Sequence, residues 1–139
     1  MITELTRMWL TRSTKPFLFK NEYDQELPFS DCDGLGLYVH IPFCRSICSF
    51  CPYCKTLYTE EACSRYIDAL IREIHLAGSQ APGKKTVTSL YFGGGTPALA
   101  ADRIKEIIDA IQEHFIITQG IGIELHPENV TPRTLHILK

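Results

Sequence analysis

Three apolar, strand-forming segments alternate with three helical segments, and this alternation restricts the fold more than any other feature of the sequence. The strand-like segments are "LGLYVHI" (35–41), "TVTSLYF" (86–92) and "GIGIELH" (120–126). Helical periodicity follows each of them, at 60–78, at 102–115 and from 131 onward. This order favours an α/β fold with a parallel sheet and right-handed crossovers.

Local signals indicate where the first two helices begin, end and pack. Thr59 is expected to cap the N-terminus of the first helix, and Gly78 is expected to end it. The second helix carries an apolar stripe that should face the sheet, formed by Ile104, Ile107, Ile108, Ile111 and Phe115.

The domain organisation follows from the same pattern. Residues 1–34 show no sustained periodicity and are predicted to form an irregular N-terminal arm. Residues 35–139 supply only three strand–helix units, and three strands cannot close a barrel. We therefore expect the chain to be the first portion of a longer protein.

Charge and hydropathy exclude several classes of partner. The 139 residues include 14 basic and 16 acidic side chains, a formal net charge of −2, which gives no electrostatic basis for binding nucleic acid or an anionic membrane. The first 15 residues contain no long apolar run, so neither a signal peptide nor a membrane anchor is predicted. We expect a cytoplasmic protein, in which thiols stay reduced.

Four of the six cysteines lie within residues 44–54, and their spacing indicates a metal centre. Cys44, Cys48 and Cys51 form C-x3-C-x2-C, and Cys54 follows. Three thiolates from one short loop can ligate three irons of a [4Fe-4S] cluster and leave the fourth iron open. The spacing differs from the C-x2-C-x2-C-x3-C of bacterial ferredoxins. A structural zinc site usually needs a second C-x2-C pair, and no cysteine follows Cys63. Zinc remains the alternative.

Two further stretches lie where parallel strands place functional residues, at their C-terminal ends. Gly93, Gly94 and Gly95, followed by Thr96, would let the backbone approach a ligand closely, although a flexible turn is the simpler explanation. Glu124 lies in an otherwise apolar strand, where an unpaired buried carboxylate is costly. It is expected either to point into the site or to face solvent at an open edge.

Four segments together resemble a known family. C-x3-C-x2-C after a first strand, with Phe50 before the last cysteine, resembles the signature of radical S-adenosylmethionine (SAM) enzymes. Within that superfamily, the chain is similar to oxygen-independent coproporphyrinogen III oxidases. The similarity rests on "YVHIPFC" (38–44), "CSFC" (48–51), "YFGGGTP" (91–97) and "IELHPENVT" (123–131). It covers residues 35–139 and implies the N-terminal half of a radical SAM core, a partial (β/α) barrel.

The resemblance assigns roles to individual residues. It implies that Cys44, Cys48 and Cys51 ligate a [4Fe-4S] cluster whose open iron chelates SAM. It also implies that the glycine run, with Thr96, contacts the SAM amino group. Glu124 would contact polar groups of SAM, and Tyr38 and Phe50 would lie near the cofactors. Phe43, Ile47, Phe50 and Tyr53 would form an apolar collar around the cluster. Cys54 departs from the family pattern and is not assigned as a ligand.

The implied activity is reductive cleavage of SAM to methionine and a 5′-deoxyadenosyl radical, which abstracts hydrogen from a substrate. The family resemblance points to oxidative decarboxylation of a porphyrinogen such as coproporphyrinogen III, or to related tetrapyrrole chemistry. It also implies a reductant such as flavodoxin or ferredoxin. The alternative is a heme-binding trafficking protein of the same family that keeps the cluster but has little catalysis.

Overall fold

A computed structural model describes residues 27, 29 and 32–139 of the chain and shows two sheets and three α-helices. The strands are β1 (Gly34–Ile41), β2 (Phe43–Cys44), β3 (Thr56–Leu57), β4 (Lys85–Gly94), β5 (Phe115–Ile117) and β6 (Ile121–Ile123). The α-helices are α1 (Glu60–Ser79), α2 (Ala101–His114) and α3 (Pro132–Ile137). Two 3₁₀-helices, Pro97–Ala100 and Pro127–Asn129, follow β4 and β6.

The main sheet is parallel and is built around β4. Along one edge of β4, β1 pairs from Gly34↔Thr86 to Ile41↔Gly94. On the other edge, β5 pairs with the beginning of β4 and β6 pairs with its later part. This arrangement confirms the α/β fold class and the parallel sheet expected from the alternation of strands and helices.

Short strands are where the sequence-based expectation fails. β5 lies where the end of the second helix was predicted, because Phe115 is already extended, with φ −130° and ψ 158°. The third predicted strand, 120–126, is reduced to the three residues of β6. β2 and β3 pair in parallel with each other inside a segment that had been expected to be only a loop. Strands of two or three residues carry too little periodicity to detect.

One apolar core joins the sheet to α1 and α2. The largest side chains with essentially no exposed surface come from both layers: Ile41, Ile67, Val87, Leu90, Phe92, Pro97, Ile107 and Ile111. The stripe predicted for the second helix is confirmed, since Ile104, Ile107, Ile111 and Phe115 are buried and Ile108 packs against them. The opposite face of the sheet remains more exposed, and there Tyr38 and Tyr91 lie side by side.

The two predicted ends of the first helix have different outcomes. The hydroxyl of Thr59 accepts a hydrogen bond from the Ala62 amide at 3.2 Å, which confirms the N-cap. Gly78 does not end the helix, since α1 continues to Ser79 and is followed by Gln80 in right-handed helical geometry. The prediction was wrong because Gly78 serves packing. A Cβ there would lie 2.2 Å from Cγ of His114 on α2.

Most of the predicted N-terminal arm, and the stretch predicted to lack a signal peptide or anchor, lie outside the described residues. Of the arm's described residues, Phe29 is buried with its ring 6.0 Å from that of Phe115, and the Leu27 amide donates to Oε1 of Gln80 at 3.0 Å. Within the part of the chain that the structure describes, no helix is both long and apolar enough to cross a membrane.

The core predicts a sharp contrast between two aliphatic residues of α1. Ile67 has no exposed surface, whereas Leu76 is 69% exposed. We expect Ile67→Ala to lower the free energy of unfolding by about 2–5 kcal/mol, because it removes buried methyl groups and leaves a cavity. The matched control Leu76→Ala should change it by less than about 0.5 kcal/mol. Urea unfolding followed by circular dichroism measures both, and equal losses in the two variants would contradict this core.

Candidate functional site

The cysteine loop is closed at its base by the small sheet of β2 and β3. The Thr56 amide donates to the carbonyl of Pro42 at 2.8 Å, and the Tyr58 amide donates to the carbonyl of Cys44 at 2.9 Å. Cys44 is therefore held within regular backbone structure, while residues 45–55 form an excursion between two fixed ends. The loop's position is set by long-range backbone pairing that the sequence pattern did not indicate.

Three of the four clustered cysteines line one cleft. Cys44, Cys48 and Cys51 face a cavity of about 310 Å³ that is also lined by Gly94, Gly95 and Thr96. Cys44 and Cys51 are partly buried, whereas Cys48 is exposed. Cys54 is exposed and does not line this cleft, and Cys63 is buried in α1. Cys54 therefore differs from the other three cysteines of the segment 44–54 in its place in the structure as well as in its spacing along the sequence.

The glycine run lies directly against the start of the cysteine loop. The Gly95 amide donates to the carbonyl of Ile41 at 2.8 Å, and the Thr96 amide donates to the carbonyl of Phe43 at 2.7 Å. A Cβ at Gly95 would lie 2.6 Å from that Phe43 oxygen and 2.9 Å from Sγ of Cys44. Gly94 has φ +116°, in the region that favours glycine. The flexible-turn explanation is therefore insufficient, because these glycines are required for close packing.

Glu124 lies beside the glycine run and is exposed, which corrects its expected place inside a strand. It follows β6 directly, since the strand ends at Ile123. Its carboxylate accepts hydrogen bonds from the Gly94 amide and from the Tyr91 hydroxyl, each at 3.3 Å. The carboxylate is thus both exposed to solvent and bonded to the glycine run, and it does not line the cysteine cleft itself.

Two tyrosines form a surface beside these groups. The rings of Tyr38 and Tyr91 stack with centroids 6.4 Å apart and an interplanar angle of 17°. Partial desolvation, followed by the nearby Glu124 carboxylate, raises the pKa of both phenols above the usual value. Both therefore stay protonated near neutral pH, and Tyr38 shares a 3.2 Å hydrogen bond with Nδ1 of His40. Tyr38 lies on the site face of the sheet but outside the cleft lining.

Only one of the four predicted collar residues lines the cleft. Phe50 does so while 86% exposed. Ile47 and Tyr53 are also exposed. Phe43 is instead a core residue, with its ring edge-on to Tyr66 at 5.5 Å. Its aromatic partners are Tyr66 of α1 and Tyr58, which lies between β3 and α1, so its role could not be identified from the cysteine segment alone.

Several residues of the cleft were not predicted as site residues. Lys55 donates to the carbonyl of Cys51 and, with Arg45, adds positive charge near the thiols. His126 and Asn129 approach from the segment after β6. His126 also accepts a hydrogen bond from the Glu128 amide at 3.4 Å. In the sequence, only their nearness to the cysteine segment or to the third predicted strand pointed to these residues. They line the same cleft because the order of the strands brings those two segments together.

Comparison with known proteins shows which family the chain belongs to. No family model matches the sequence. Coproporphyrinogen III oxidase (HemN) from Escherichia coli, a solved structure of a radical SAM enzyme, superposes with a TM-score of 0.69 at 33% identity. That match covers 76% of this chain and 25% of the other. The chain is homologous to a portion of the oxygen-independent coproporphyrinogen III oxidase family of radical SAM proteins.

Curated relatives of this oxidase family carry three different names. The anaerobilin synthase of Escherichia coli O157:H7 is 44% identical over 91 residues, which is 64% of this chain and 20% of the relative. An oxygen-independent coproporphyrinogen III oxidase of Helicobacter pylori J99 is 42% identical over 110 residues, 75% and 24% of the two chains. The heme chaperone HemW of Mycobacterium tuberculosis is 31% identical over 105 residues, 70% and 26%. The chain spans about a fifth to a quarter of the length of these relatives.

The packing of the glycine run gives a test of the site's construction. Gly95→Ala should lower the free energy of unfolding by about 1–3 kcal/mol, because the added methyl group overlaps the Phe43 carbonyl and the Cys44 thiol. The control is Gly36→Ala in β1, where a Cβ would meet nothing within 4 Å, and the change should stay below about 0.5 kcal/mol. Urea unfolding measures both variants. If Gly95→Ala is as mild as the control, the close approach described above is incorrect.

Proposed function

We propose that this chain forms the cofactor-binding part of a radical SAM protein, in which Cys44, Cys48 and Cys51 hold a [4Fe-4S] cluster. The observation that supports this most is the shared cleft: these three thiols line it together with the glycine run, and Cys54 does not. Soft thiolate donors fit iron–sulfur ligation, and three of them leave one iron for another ligand. A closed zinc site would need a fourth ligand, which Cys54 does not supply because it does not line the cleft, whereas His126 does line it. The metal and sulfide content of the protein therefore decides between zinc and an iron–sulfur cluster.

The residues around the cleft have definite tasks in this proposal. A cluster held by Cys44, Cys48 and Cys51, with SAM bound to it, would supply one-electron reductive cleavage of the sulfonium C–S bond, with the electron coming from the external reductant. The Glu124 carboxylate, held at the Gly94 amide, offers an acceptor for an ammonium or hydroxyl group of the ligand. Gly94 and Gly95 keep that wall of the cleft free of side chains, and Phe50 provides an apolar surface at its mouth. Lys55 fixes the carbonyl of Cys51 and so restrains the loop.

For the substrate, we propose a tetrapyrrole, and for the reaction, oxidative decarboxylation of a porphyrinogen such as coproporphyrinogen III. The support is the set of relatives named as oxygen-independent coproporphyrinogen III oxidases and as an anaerobilin synthase. A reductant such as flavodoxin or ferredoxin would supply the electron. The second candidate is heme trafficking with little catalysis, which the similarity to heme chaperone HemW supports.

The cluster assignment predicts a division among the four clustered cysteines. After anaerobic reconstitution, the unsubstituted protein should hold about four iron and four sulfide per chain. Cys44→Ser, Cys48→Ser and Cys51→Ser should each lose most of both, because each removes a thiolate ligand. Cys54→Ser is the matched control and should retain both. Iron and acid-labile sulfide assays measure this. Loss in Cys54→Ser as severe as in Cys44→Ser, or zinc without sulfide in the purified protein, would contradict the assignment.

Turnover distinguishes the two candidate functions. With the full-length protein that contains this chain, reduced and reconstituted and supplied with SAM and coproporphyrinogen III, the oxidase proposal predicts 5′-deoxyadenosine together with carbon dioxide and vinyl products. The control is the same mixture with Cys48→Ser, which should form neither. Liquid chromatography with mass spectrometry measures the products. Stoichiometric heme binding with no conversion of the porphyrinogen would instead favour the trafficking function.

A further inference from the structure

A second group of potential metal ligands lies away from the cysteine cleft, where the C-terminal parts of α1 and α2 meet. Nδ1 of His75 on α1 lies 3.0 Å from Nε2 of His114, the last residue of α2. The same Nδ1 lies 3.7 Å from a carboxylate oxygen of Glu113. Across the described part of the chain, this is the one group of three histidine, cysteine or carboxylate residues whose ligand atoms all lie within 4.8 Å.

The packing of the two helices holds these side chains in place. Gly78 lies three residues after His75, on the same face of α1, and its missing Cβ leaves room for the ring of His114. That ring also contacts Phe115 edge-on, with centroids 6.4 Å apart. The His75 and His114 rings meet at 71° with centroids 5.3 Å apart, so their nitrogens face each other across the interface. His114 is therefore fixed between a core residue and a bare stretch of helix.

The electrostatic setting favours a cation. Both helices run back from the cleft, so their C-terminal ends lie together near the beginning of β4 and β5. Helix C-termini carry partial negative charge, and Glu113 adds a full one. The opposing charge nearby is Lys84, whose ammonium donates to the carbonyl of Gln112 at 2.9 Å. It is thereby directed at the end of α2.

We propose that His75, His114 and Glu113 form a binding site for a divalent transition-metal ion of the zinc class, which joins α1 to α2. Two imidazoles and one carboxylate suit zinc, cobalt, nickel or copper far better than magnesium or calcium. A tetrahedral ion about 2.0–2.1 Å from each nitrogen separates the two nitrogens by about 3.3 Å, close to the separation observed. Three protein ligands leave the remaining position for water. The site is independent of the function proposed for the cysteine cleft.

The test must keep the cysteines out of the measurement, because thiolates bind the same metals. The full chain therefore carries serine at Cys44, Cys48, Cys51 and Cys54 in every sample. Cobalt and zinc are titrated at pH 7.5, where imidazole is mostly neutral. Calorimetry gives affinity and stoichiometry, the cobalt absorption spectrum reports any remaining thiolate ligation, and thermal unfolding reports stabilisation.

We expect one cobalt or zinc ion per chain, no thiolate-to-cobalt absorption, and a rise in melting temperature of several degrees at saturating zinc. His75→Gln and His114→Gln should each weaken binding at least about tenfold and abolish the rise, and Glu113→Gln should weaken it less. The control His136→Gln, an exposed histidine of α3, should behave like the parent chain. Because His114 packs against Gly78, His114→Gln could destabilise the fold; the half-exposed His75 gives the decisive variant.

Three outcomes would overturn the proposal. The first is equal affinity of His75→Gln and the parent chain. The second is cobalt binding that always carries the thiolate absorption. The third is that no saturable binding is seen at metal concentrations up to about 1 mM; a dissociation constant at that limit corresponds to a binding free energy of only about 4 kcal/mol. In each case the contacts are an N–H···N hydrogen bond between the two histidines, with Glu113 beside it, and nothing more.

Discussion

Two backbone hydrogen bonds join the glycine run to the end of β1 and to the segment that leads into the cysteine loop, and the candidate site depends on them. They run from the Gly95 amide to the Ile41 carbonyl and from the Thr96 amide to the Phe43 carbonyl. Each contributes only about 1 kcal/mol net, but both require the two segments to approach without a side chain between them. The parallel pairing of β1 with β4 continues to Ile41↔Gly94, so the register of the sheet delivers the glycine run to the first cysteine.

The cysteine loop, residues 45–55, is held in place at only some of its residues. β2 and β3 hold its base, and Lys55 holds the carbonyl of Cys51, while Cys48 stays exposed. The entropy cost of closing a loop rises only slowly with its length. The short pairing of β2 with β3 can therefore hold the two ends of the cysteine loop together. In a loop of this kind, metal binding and ordering are coupled, because a ligand bound only by the ordered form stabilises that form. Of the groups around the cleft, Cys44 and the glycine run are therefore the ones held by regular backbone pairing.

The long elements could be predicted from the sequence, and the short ones could not. β1, β4, α1 and α2 have enough residues for periodicity, and the local signal at Thr59 identified a real cap. β2 and β3 exist because they pair with each other across the cysteine loop, and β5 exists because it pairs with β4. The spacing of the three cysteines indicated that they act together, and they do line one cleft, whereas Lys55 and Asn129 enter that cleft only through the order of the strands. That the three cysteines form one ligand set remains a prediction. The error at Gly78 has the same cause, since its partner is His114, 36 positions later (114 − 78).

The comparison with relatives limits what this geometry can explain. Proteins named as an oxidase, a synthase and a chaperone match the same chain over similar lengths, and each match covers only a fifth to a quarter of the relative. A region that matches proteins with all three names cannot by itself determine which of the three activities applies. Three thiolates beside a side-chain-free wall fit a common cofactor, and nothing in that wall selects a porphyrinogen over heme. Selection between them therefore rests on groups other than the glycines. In this chain the cleft also presents Arg45, His126 and Asn129, and the exposed Tyr38–Tyr91 face lies next to the glycine run through Glu124.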